Sequence, residues 1–444
     1  MPSRLTFNYV LTPQGLRRDL TLVVDTQGII TAIEPASRQT YDGFMALPGM
    51  PNAHSHTFQR ALSGCGEQAH GEDSFWSWRQ AMYRLANRVT PEDLLVIART
   101  AFREMLRAGF TSVAEFHYLH HLPDGQPGLQ MAQAVIEAAR AAGIHLVLLP
   151  VFYQKGGFNV PPAEGQRRFV HASIEDYARL LHELRSVPLG IAPHSLRAVP
   201  PTDFPLLLEA AAQAIGPEFP IHMHIGEQQR EVDECQATFG TRPIELLARH
   251  VTLNPRWNLV HATHASEAER ALILQHSATV VLCPMTEAYL GDGLFAAEEF
   301  ARAGGRFAIG SDSNSRIDAV EELRWLEYGQ RLRQQQRARL ATAEGLGATL
   351  WQRAASGGAA ALMQPVGEIT PGRRADLVVL DEQASPWLGH DAETVLDAFI
   401  IGASRRDIAQ VYVGGRRIMD HGVVAGEEAS NREFAQVVAR LNQS

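Results

Sequence analysis

Eight apolar runs with the character of β-strands recur through the middle of the chain, and each ends in polar residues. They lie at 46–54, 111–116, 145–152, 189–193, 220–225, 258–261, 279–283 and 307–311. Helical patterns between them predict helices at 90–109, 129–142, 174–184, 202–215 and 267–276. In the first of these, Thr90 can cap the helix and Pro91 suits its first position. Strands that are apolar throughout and alternate with helices are typical of a parallel sheet buried on both faces.

The two ends of the chain have a different pattern, made of short strands and turns. Residues 20–24 and 29–34 flank a hairpin turn, and 376–381 and 408–413 have strand character near the other end. We therefore predict an α/β protein with two domains. A (β/α)8, TIM-like barrel covers 47–364, and a small β-sandwich domain is built from both termini, 1–46 and 365–435. A doubly wound open sheet is the alternative for the middle of the chain.

Composition excludes several classes of partner. The 444 residues include 40 Lys and Arg against 49 Asp and Glu, a net charge of −9, which argues against nucleic acid or an anionic membrane as a partner. No apolar run is long enough to span a bilayer, and the N-terminus lacks the apolar core of a signal peptide. The cysteines, Cys65, Cys235 and Cys283, indicate no disulfide framework and fit a reducing compartment. We expect a cytoplasmic protein that forms a homodimer.

Residues of the types that bind metals lie at the carboxyl ends of four of the predicted strands. These residues are His54 and His56 after strand 1, His222 and His224 in strand 5, His261 after strand 6 and Asp312 after strand 8. In a barrel the carboxyl ends of the strands share one rim, which is where such folds place their chemistry. Because side chains two apart on a strand share a face, His54 and His56 can bind the same ion. Neutral imidazoles with one carboxylate suit a divalent metal, and Zn²⁺ is the expected ion.

Each of these motifs is weak when taken alone. A His-x-His arises by chance in a chain with 18 histidines, and a lone Asp at a strand end is often a helix cap. His222 lies deeper than His224 and is expected to make a core hydrogen bond instead of binding metal. The His117, His120 and His121 cluster can equally be a solvated loop, and His171 is expected at the surface. The convergence of four strand ends on one rim favours the metal site.

The full set of motifs resembles the amidohydrolase superfamily, whose signature is HxH after strand 1, His after strands 5 and 6, and Asp after strand 8. Within it, the segments 47–52, 54–61, 75–79 and 192–197 are similar to the formimidoylglutamate deiminase family, and the likeness runs from about residue 46 to 430. It implies that His54, His56, His224 and Asp312 bind the metal. Strand 4 is followed by His194-Ser-Leu-Arg197, without the lysine that bridges two ions in binuclear members. This departure implies one divalent metal per chain.

The same resemblance implies an activity and the residues that carry it. The expected reaction is the hydrolysis of N-formimino-L-glutamate to N-formyl-L-glutamate and ammonia, a step of histidine degradation. Asp312 would accept a proton from water, His261 would orient that water, and Glu227, in His224-Ile-Gly-Glu227, would protonate the leaving nitrogen.

The expected substrate carries two carboxylates, which arginine can hold with paired hydrogen bonds. Arg79 and Arg197 are the candidates, although Arg197 could also be a surface charge. Gln59, Tyr118 and His194 occupy rim positions that resemble the family's substrate contacts. Trp76 and Trp78, beside Arg79, could form a lid over the site or simply pack in the core.

Two other functions compete with this one. A one-metal deaminase or chlorohydrolase acting on a heterocycle of guanine, adenosine or triazine type would use the two tryptophans for stacking. A non-catalytic barrel that serves as an assembly protein is the third hypothesis, but such relatives tend to lose ligand residues that this chain retains.

Overall fold

The computed structural model describes residues 3–37, 40–65 and 75–442. Its strands are β1 (Ser3–Thr12), β2 (Gly15–Val24), β3 (Ile30–Pro35), β4 (Gly43–Pro48), β5 (Met50–Ser55), β6 (Phe110–His117), β7 (His145–Phe152), β8 (Ala192–Pro193), β9 (Ile221–Ile225), β10 (Trp257–His261), β11 (Thr279–Leu282), β12 (Arg306–Ile309), β13 (Leu377–Leu380), β14 (Ile408–Val413), β15 (Arg416–Asp420) and β16 (Val423–Val424). Each of the eight strands predicted in the middle of the chain overlaps a strand of the structure, and the first and fourth differ most in extent.

The middle strands are parallel, as predicted. Within the described residues they form two four-stranded sheets, β5-β6-β7-β8 and β9-β10-β11-β12. Parallel bridges join the two sheets at both edges, between Ile191 and Ile221 and between Ser55 and Asp312. Nearly every residue of these strands is buried, which explains why their sequences are continuous apolar runs. The carboxyl ends of β5, β9, β10 and β12 are therefore brought to one edge.

The first predicted strand, 46–54, is in fact two strands. It divides at Gly49, because β4 belongs to the terminal sheet whereas β5 belongs to the parallel sheet. The backbone N–H of Gly49 donates to the carbonyl of Asp376, and a Cβ at position 49 would lie 2.2 Å from Oγ1 of Thr111. Only glycine fits this close crossing. The predicted strand at 189–193 is also shorter, with only Ala192 and Pro193 paired as a strand.

The two termini combine into one sheet, with strand order β16-β15-β14-β13-β4-β1-β2-β3 in the described residues. The predicted hairpin is confirmed, because β2 and β3 pair antiparallel with Leu22 opposite Ile33. β13 joins the two halves by pairing antiparallel with β4, and Leu377 lies opposite Pro48. A separate apolar cluster that includes Phe7, Leu22, Leu377 and Val379 lies under this sheet.

The helices are α1 (Phe75–Ala86), α2 (Pro91–Arg107), α3 (Gln130–Ala142), α4 (Ile174–Leu184), α5 (Phe204–Ile215), α6 (Gln229–Phe239), α7 (Pro243–His250), α8 (Glu267–Gln275), α9 (Pro284–Leu290), α10 (Ala297–Arg302), α11 (Ala319–Gln334), α12 (Leu346–Leu362), α13 (Ala392–Gly402) and α14 (Glu427–Asn442). The five predicted helices are confirmed as α2, α3, α4, α5 and α8. α2 begins as expected, because Thr90 and Asp93 form a reciprocal capping box and Pro91 follows the cap. No helix among the described residues is long and apolar enough to cross a membrane.

Two histidines that are not expected to bind metal test the sequence interpretation. The expectation for His222 is confirmed, since its Nε2 lies 2.8 Å from the carbonyl oxygen of Ala361 in the core. The expectation for His171 is wrong, because this residue is buried and its ring lies 4.4 Å from that of His120 and 5.1 Å from that of Tyr177. Aromatic packing between neighbouring loops and helices buries it, which no local pattern reveals.

Candidate active site

The structure brings the four predicted metal ligands together at the shared edge of the parallel sheets. His54, His56, His224 and Asp312 are all buried, and each offers one donor atom within 4.8 Å of the others. The Nε2 of His54 lies 3.0 Å from the Nε2 of His56 and 3.0 Å from that of His224. Oδ1 of Asp312 lies 3.2 Å from Nε2 of His56 and 3.5 Å from Nε2 of His54.

The hydrogen bonds of the outer ring nitrogens fix which way the lone pairs point. Nδ1 of His56 donates to the carbonyl of Phe116 at 2.9 Å, and Nδ1 of His224 donates to the carbonyl of His194 at 3.2 Å. In a neutral ring the Nε2 atom then carries the lone pair. Both lone pairs face the Nε2 of His54, which can donate at most one hydrogen, so at least one of the two has no donor there. A divalent cation at this point would satisfy all of them, so the donor set fits a metal.

The ionisation states agree with this interpretation. Burial, reinforced by the neighbouring His56, lowers the pKa of His54 to about 3. Burial also holds the pKa of His224 well below its usual value. Burial alone would raise the pKa of Asp312, but the adjacent imidazoles of His54 and His56 hold it well below its usual range. Neutral imidazoles with one carboxylate anion are the ligands that zinc and similar ions prefer.

The backbone around Asp312 is locked against the His54–His56 segment. The N–H of Asp312 donates to the carbonyl of His54 at 3.0 Å, and the N–H of His56 donates to the carbonyl of Asp312 at 2.9 Å. A Cβ at Gly310 would lie 2.7 Å from the Cβ of His54, so glycine is required for this approach. Asp312 and His261 have φ angles of 44° and 69°, in the left-handed region. Non-glycine residues in this region cluster at functional sites.

His261 lies between the metal ligands and the predicted proton donor. Its Nε2 is 3.7 Å from Oδ2 of Asp312 and 3.7 Å from Oε1 of Glu227. Its Nδ1 donates to Oε1 of Glu287 at 3.2 Å, which fixes the orientation of the ring. Although burial opposes the charged form, Glu227 and the other carboxylates raise the pKa of His261 to about 10. Burial raises the pKa of Glu227, and His261 and Arg197 partly offset that effect.

Arg197 is buried at the site and is not a surface charge. Its side chain is only 7% exposed, and it lies between two carboxylates. Nη2 is 3.6 Å from Oε2 of Glu227, and Nε is 3.7 Å from Oε2 of Glu231. Glu231 also accepts the backbone N–H groups of Gly226 and Glu227, at 3.2 and 3.3 Å. One buried carboxylate thus holds both the loop that carries Glu227 and the guanidinium beside it.

The other predicted contact residues line the same cavity. They are Gln59, Arg79, Tyr118 and His194. The Tyr118 hydroxyl lies 3.2 Å from Nε2 of His194, and Oε1 of Gln59 is buried with no hydrogen-bond partner among the described residues. Nη2 of Arg79 donates to the Tyr153 hydroxyl at 3.2 Å. Trp78 also lines the cavity, whereas the side chain of Trp76 lies outside the described part of the structure.

Several residues of the site were not predicted from the sequence. They are Tyr83, Tyr153, Gln166, Glu231 and Glu287. Glu231 had a usable signal, since it lies in the first turn of α6, where an acidic side chain can accept N–H groups of the segment that precedes the helix. The others carry no local signal, because each lies on a different loop or helix from its partner.

The family of the chain follows from comparison with known proteins. The family model described as "Amidohydrolase family" matches residues 45–418. The chain belongs to the amidohydrolase family. The predicted metal ligands His54, His56, His224 and Asp312 all lie within the matched residues.

Individual relatives narrow the comparison within the amidohydrolases. The formimidoylglutamate deiminase of Pseudomonas aeruginosa is 45% identical, over 97% of this chain and 98% of that protein. A 5-methylthioadenosine/S-adenosylhomocysteine deaminase of Natronomonas pharaonis is 27% identical, over 98% of each chain. The likeness to the deiminase is therefore much the stronger of the two.

Solved structures agree with this fold. A crystal structure of an amidohydrolase from Brucella melitensis has a TM-score of 0.91 and 39% identity, covering 99% of both chains. A crystal structure of an adenosine deaminase from Xanthomonas campestris with bound zinc has a TM-score of 0.81 at 24% identity, covering 99% of this chain and 98% of that one. At that identity the second comparison speaks for the fold alone.

Proposed function

We propose that this amidohydrolase hydrolyses N-formimino-L-glutamate to N-formyl-L-glutamate and ammonia, as a step of histidine degradation. The observation that carries the proposal is a cavity in which the metal donor set faces two arginines, Arg79 and Arg197. Two cations match a substrate with two carboxylates, and the 45% identity to a formimidoylglutamate deiminase over nearly the full chain supports the same substrate.

The chemistry at the formimino carbon needs a water that loses a proton and a nitrogen that gains one. We propose that His54, His56, His224 and Asp312 hold one divalent metal, with Zn²⁺ expected. When bound, such a metal acts as a Lewis acid and lowers the pKa of water toward neutrality.

The protein groups then move the protons. Asp312 accepts a proton from the attacking water, and His261, oriented by Glu287, positions that water through Nε2. The oxygen adds to the formimino carbon, and Glu227 delivers a proton to the terminal nitrogen. As the carbon–nitrogen bond breaks, the added hydroxyl returns its remaining proton to Glu227 and the nitrogen takes up the proton held by Asp312. Both hydrogens of the water thus end on the nitrogen, ammonia leaves and the formyl group remains. The raised pKa of Glu227 supports this role, because the protonated acid is then available nearer to neutral pH.

The polar groups of the cavity account for binding of the rest of the substrate. Arg197 is held by Glu231, so its guanidinium is already placed before substrate arrives. Arg79 occupies another part of the cavity lining, beside Tyr153. Gln59, Tyr118 and His194 have shorter side chains than the arginines and hydrogen-bond the substrate near the reacting carbon. We propose these five residues as the substrate contacts.

Three finer features of the molecule belong to the same proposal. The edge bridges between the two parallel sheets support a closed (β/α)8 barrel over 47–364, apart from the shift of its first strand to Met50. The apolar cluster under the terminal sheet supports a small β-sandwich built from 1–46 and 365–435. The homodimer stays a prediction from sequence, which sedimentation velocity would test.

The direct test is ammonia release from purified protein with formimino-glutamate, guanine and adenosine at equal concentration. We expect turnover with formimino-glutamate only, and N-formyl-glutamate as the second product by mass spectrometry. Turnover of either heterocycle in preference to formimino-glutamate would overturn the proposal.

A heterocycle deaminase is the second candidate. The aromatic side chains of Trp78, Tyr83, Tyr153 and Phe169 in the cavity lining favour it, because a flat ring binds by stacking. Two arginines in the same lining argue against a neutral ring. The assembly-protein hypothesis gains no support, since every ligand that such relatives lose is present and converges here.

A further inference from the structure

Gln166 lies behind the cavity wall and is not among the residues that line it. Its side chain is 2% exposed, and it hydrogen-bonds to two tyrosines that do line the cavity, Tyr83 and Tyr153. Its amide nitrogen is 3.0 Å from the Tyr83 hydroxyl and 2.6 Å from the Tyr153 hydroxyl. The two phenols are thus tied to one buried amide.

The orientation of that amide is determined by its other partner. Oε1 of Gln166 lies 2.8 Å from the backbone N–H of Ala163, which can only donate. The amide oxygen must therefore face Ala163, and the NH₂ group must face the phenols. Both of its hydrogens are donated, one to each hydroxyl oxygen.

This arrangement leaves the phenols as donors toward the cavity. The Tyr153 oxygen accepts from Gln166 and also from Nη2 of Arg79, at 3.2 Å, so its own hydrogen is what it has left to offer. The Tyr83 oxygen likewise accepts from Gln166, and burial raises the pKa of that phenol, which keeps its hydrogen in place. The guanidinium of Arg79, 5.2 Å from the centre of the Tyr83 ring, adds further donors and no acceptor.

We propose that Gln166 is a positioning residue that makes this part of the cavity a donor-only surface, so that it selects a carboxylate over a carboxamide. The inference rests on the proposed function and deepens it. Both oxygens of a carboxylate accept hydrogen bonds, so a carboxylate matches the Tyr83 hydroxyl, the Tyr153 hydroxyl and the Arg79 guanidinium. A carboxamide must turn its NH₂ group toward at least one of these donors. Neither that donor nor the amide N–H then has an acceptor.

The test compares the dicarboxylate substrate with its two monoamides, N-formimino-glutamine and N-formimino-isoglutamine, by kcat/KM. One of the two monoamides carries its amide where the substrate carboxylate meets Arg79, Tyr83 and Tyr153. In the wild type we expect kcat/KM for that monoamide to be lower than for the dicarboxylate by roughly 5- to 150-fold, the effect of one unsatisfied buried donor. In Gln166→Glu the carboxylate still accepts from the Ala163 N–H, but it also accepts from the two phenols instead of donating to them. The phenol hydrogens then point at the carboxylate and the phenol lone pairs turn toward the cavity. We expect the preference against that monoamide to fall at least about 5-fold, mostly through KM, with the other monoamide unchanged.

Two further variants keep the test decisive. Tyr153→Phe and Tyr83→Phe each remove one directed donor, and each is expected to weaken the same preference without changing that for the second monoamide. If Gln166→Glu does not fold, these two variants test the inference by themselves. A preference that stays at the wild-type value in these variants, or that changes equally for both monoamides, overturns the inference. Absence of wild-type turnover of formimino-glutamate would instead overturn the proposed function.

Discussion

Replacing Arg197 by Met tests whether this buried guanidinium holds a substrate carboxylate. Methionine is similar in length but removes the charge and every donor. Removing one partner of a buried charge pair costs about 2–5 kcal/mol. At 1.4 kcal/mol per tenfold, we expect kcat/KM for formimino-glutamate to fall by roughly 30- to 5000-fold.

The structure adds a complication and a way to control for it. Arg197 also faces Glu227 and Glu231, so the single variant leaves the buried Glu231 carboxylate without its cation. The double variant Arg197→Met with Glu231→Gln removes that unpaired charge. If loss of the substrate contact is the cause, the double variant stays as impaired as the single one while its thermal midpoint recovers in part, because Gln keeps one oxygen for the N–H groups of Gly226 and Glu227.

Ammonia release under steady-state conditions measures the effect on two kinds of substrate. An analogue that lacks the carboxylate bound by Arg197, either N-formimino-4-aminobutyrate or N-formimino-2-aminobutyrate, should react poorly with wild type but lose little more in Arg197→Met. A matched control is Arg140→Met on α3, where the arginine side chain is 72% exposed and forms an ion pair with Glu137. Equal losses with every substrate, or unchanged kcat/KM for formimino-glutamate, would refute the reasoning.

Three other predictions concern the metal, the proton donor Glu227 and the cysteines. We expect one divalent metal per chain by elemental analysis, and loss of both metal and ammonia release in His54→Ala; two tightly bound equivalents would contradict the single site. Glu227→Gln should lower kcat by roughly 10²- to 10⁴-fold with unchanged metal content, since it removes only the acid–base function; retained turnover would be contradictory. A thiol reagent at pH 8 should label one cysteine rapidly, the exposed Cys65. Burial raises the pKa of Cys235 to about 12 and that of Cys283 well above its usual value, so thiolate is scarce and labelling roughly 10³-fold slower; fast labelling of all three by mass spectrometry would refute this.

The sequence by itself determined the features that depend on neighbours along the chain. Apolar runs fixed the parallel strands, because a strand buried on both faces needs no polar residues, and the Thr90–Pro91 start of α2 followed from capping chemistry. The convergence of candidate metal ligands on one rim also followed, since parallel strands end at one edge and His54 and His56 share a face. These inferences require periodicity and strand order only, whereas the choice of His54, His56, His224 and Asp312 came from the family resemblance.

Only the tertiary structure decided the features that depend on contacts between distant segments. The division of the first predicted strand at Gly49 arises from contacts with Thr111 and Asp376, which nothing near position 49 reveals. Gln166 lies 83 residues from Tyr83, and its role depends on which way a buried amide points. Glu287, on α9, contacts His261 at the end of β10. Hydrogen bonds and ion pairs act over a few ångströms in space, whatever the separation of the two residues along the chain. The residues that orient the site therefore come from segments whose own sequence patterns do not indicate this role.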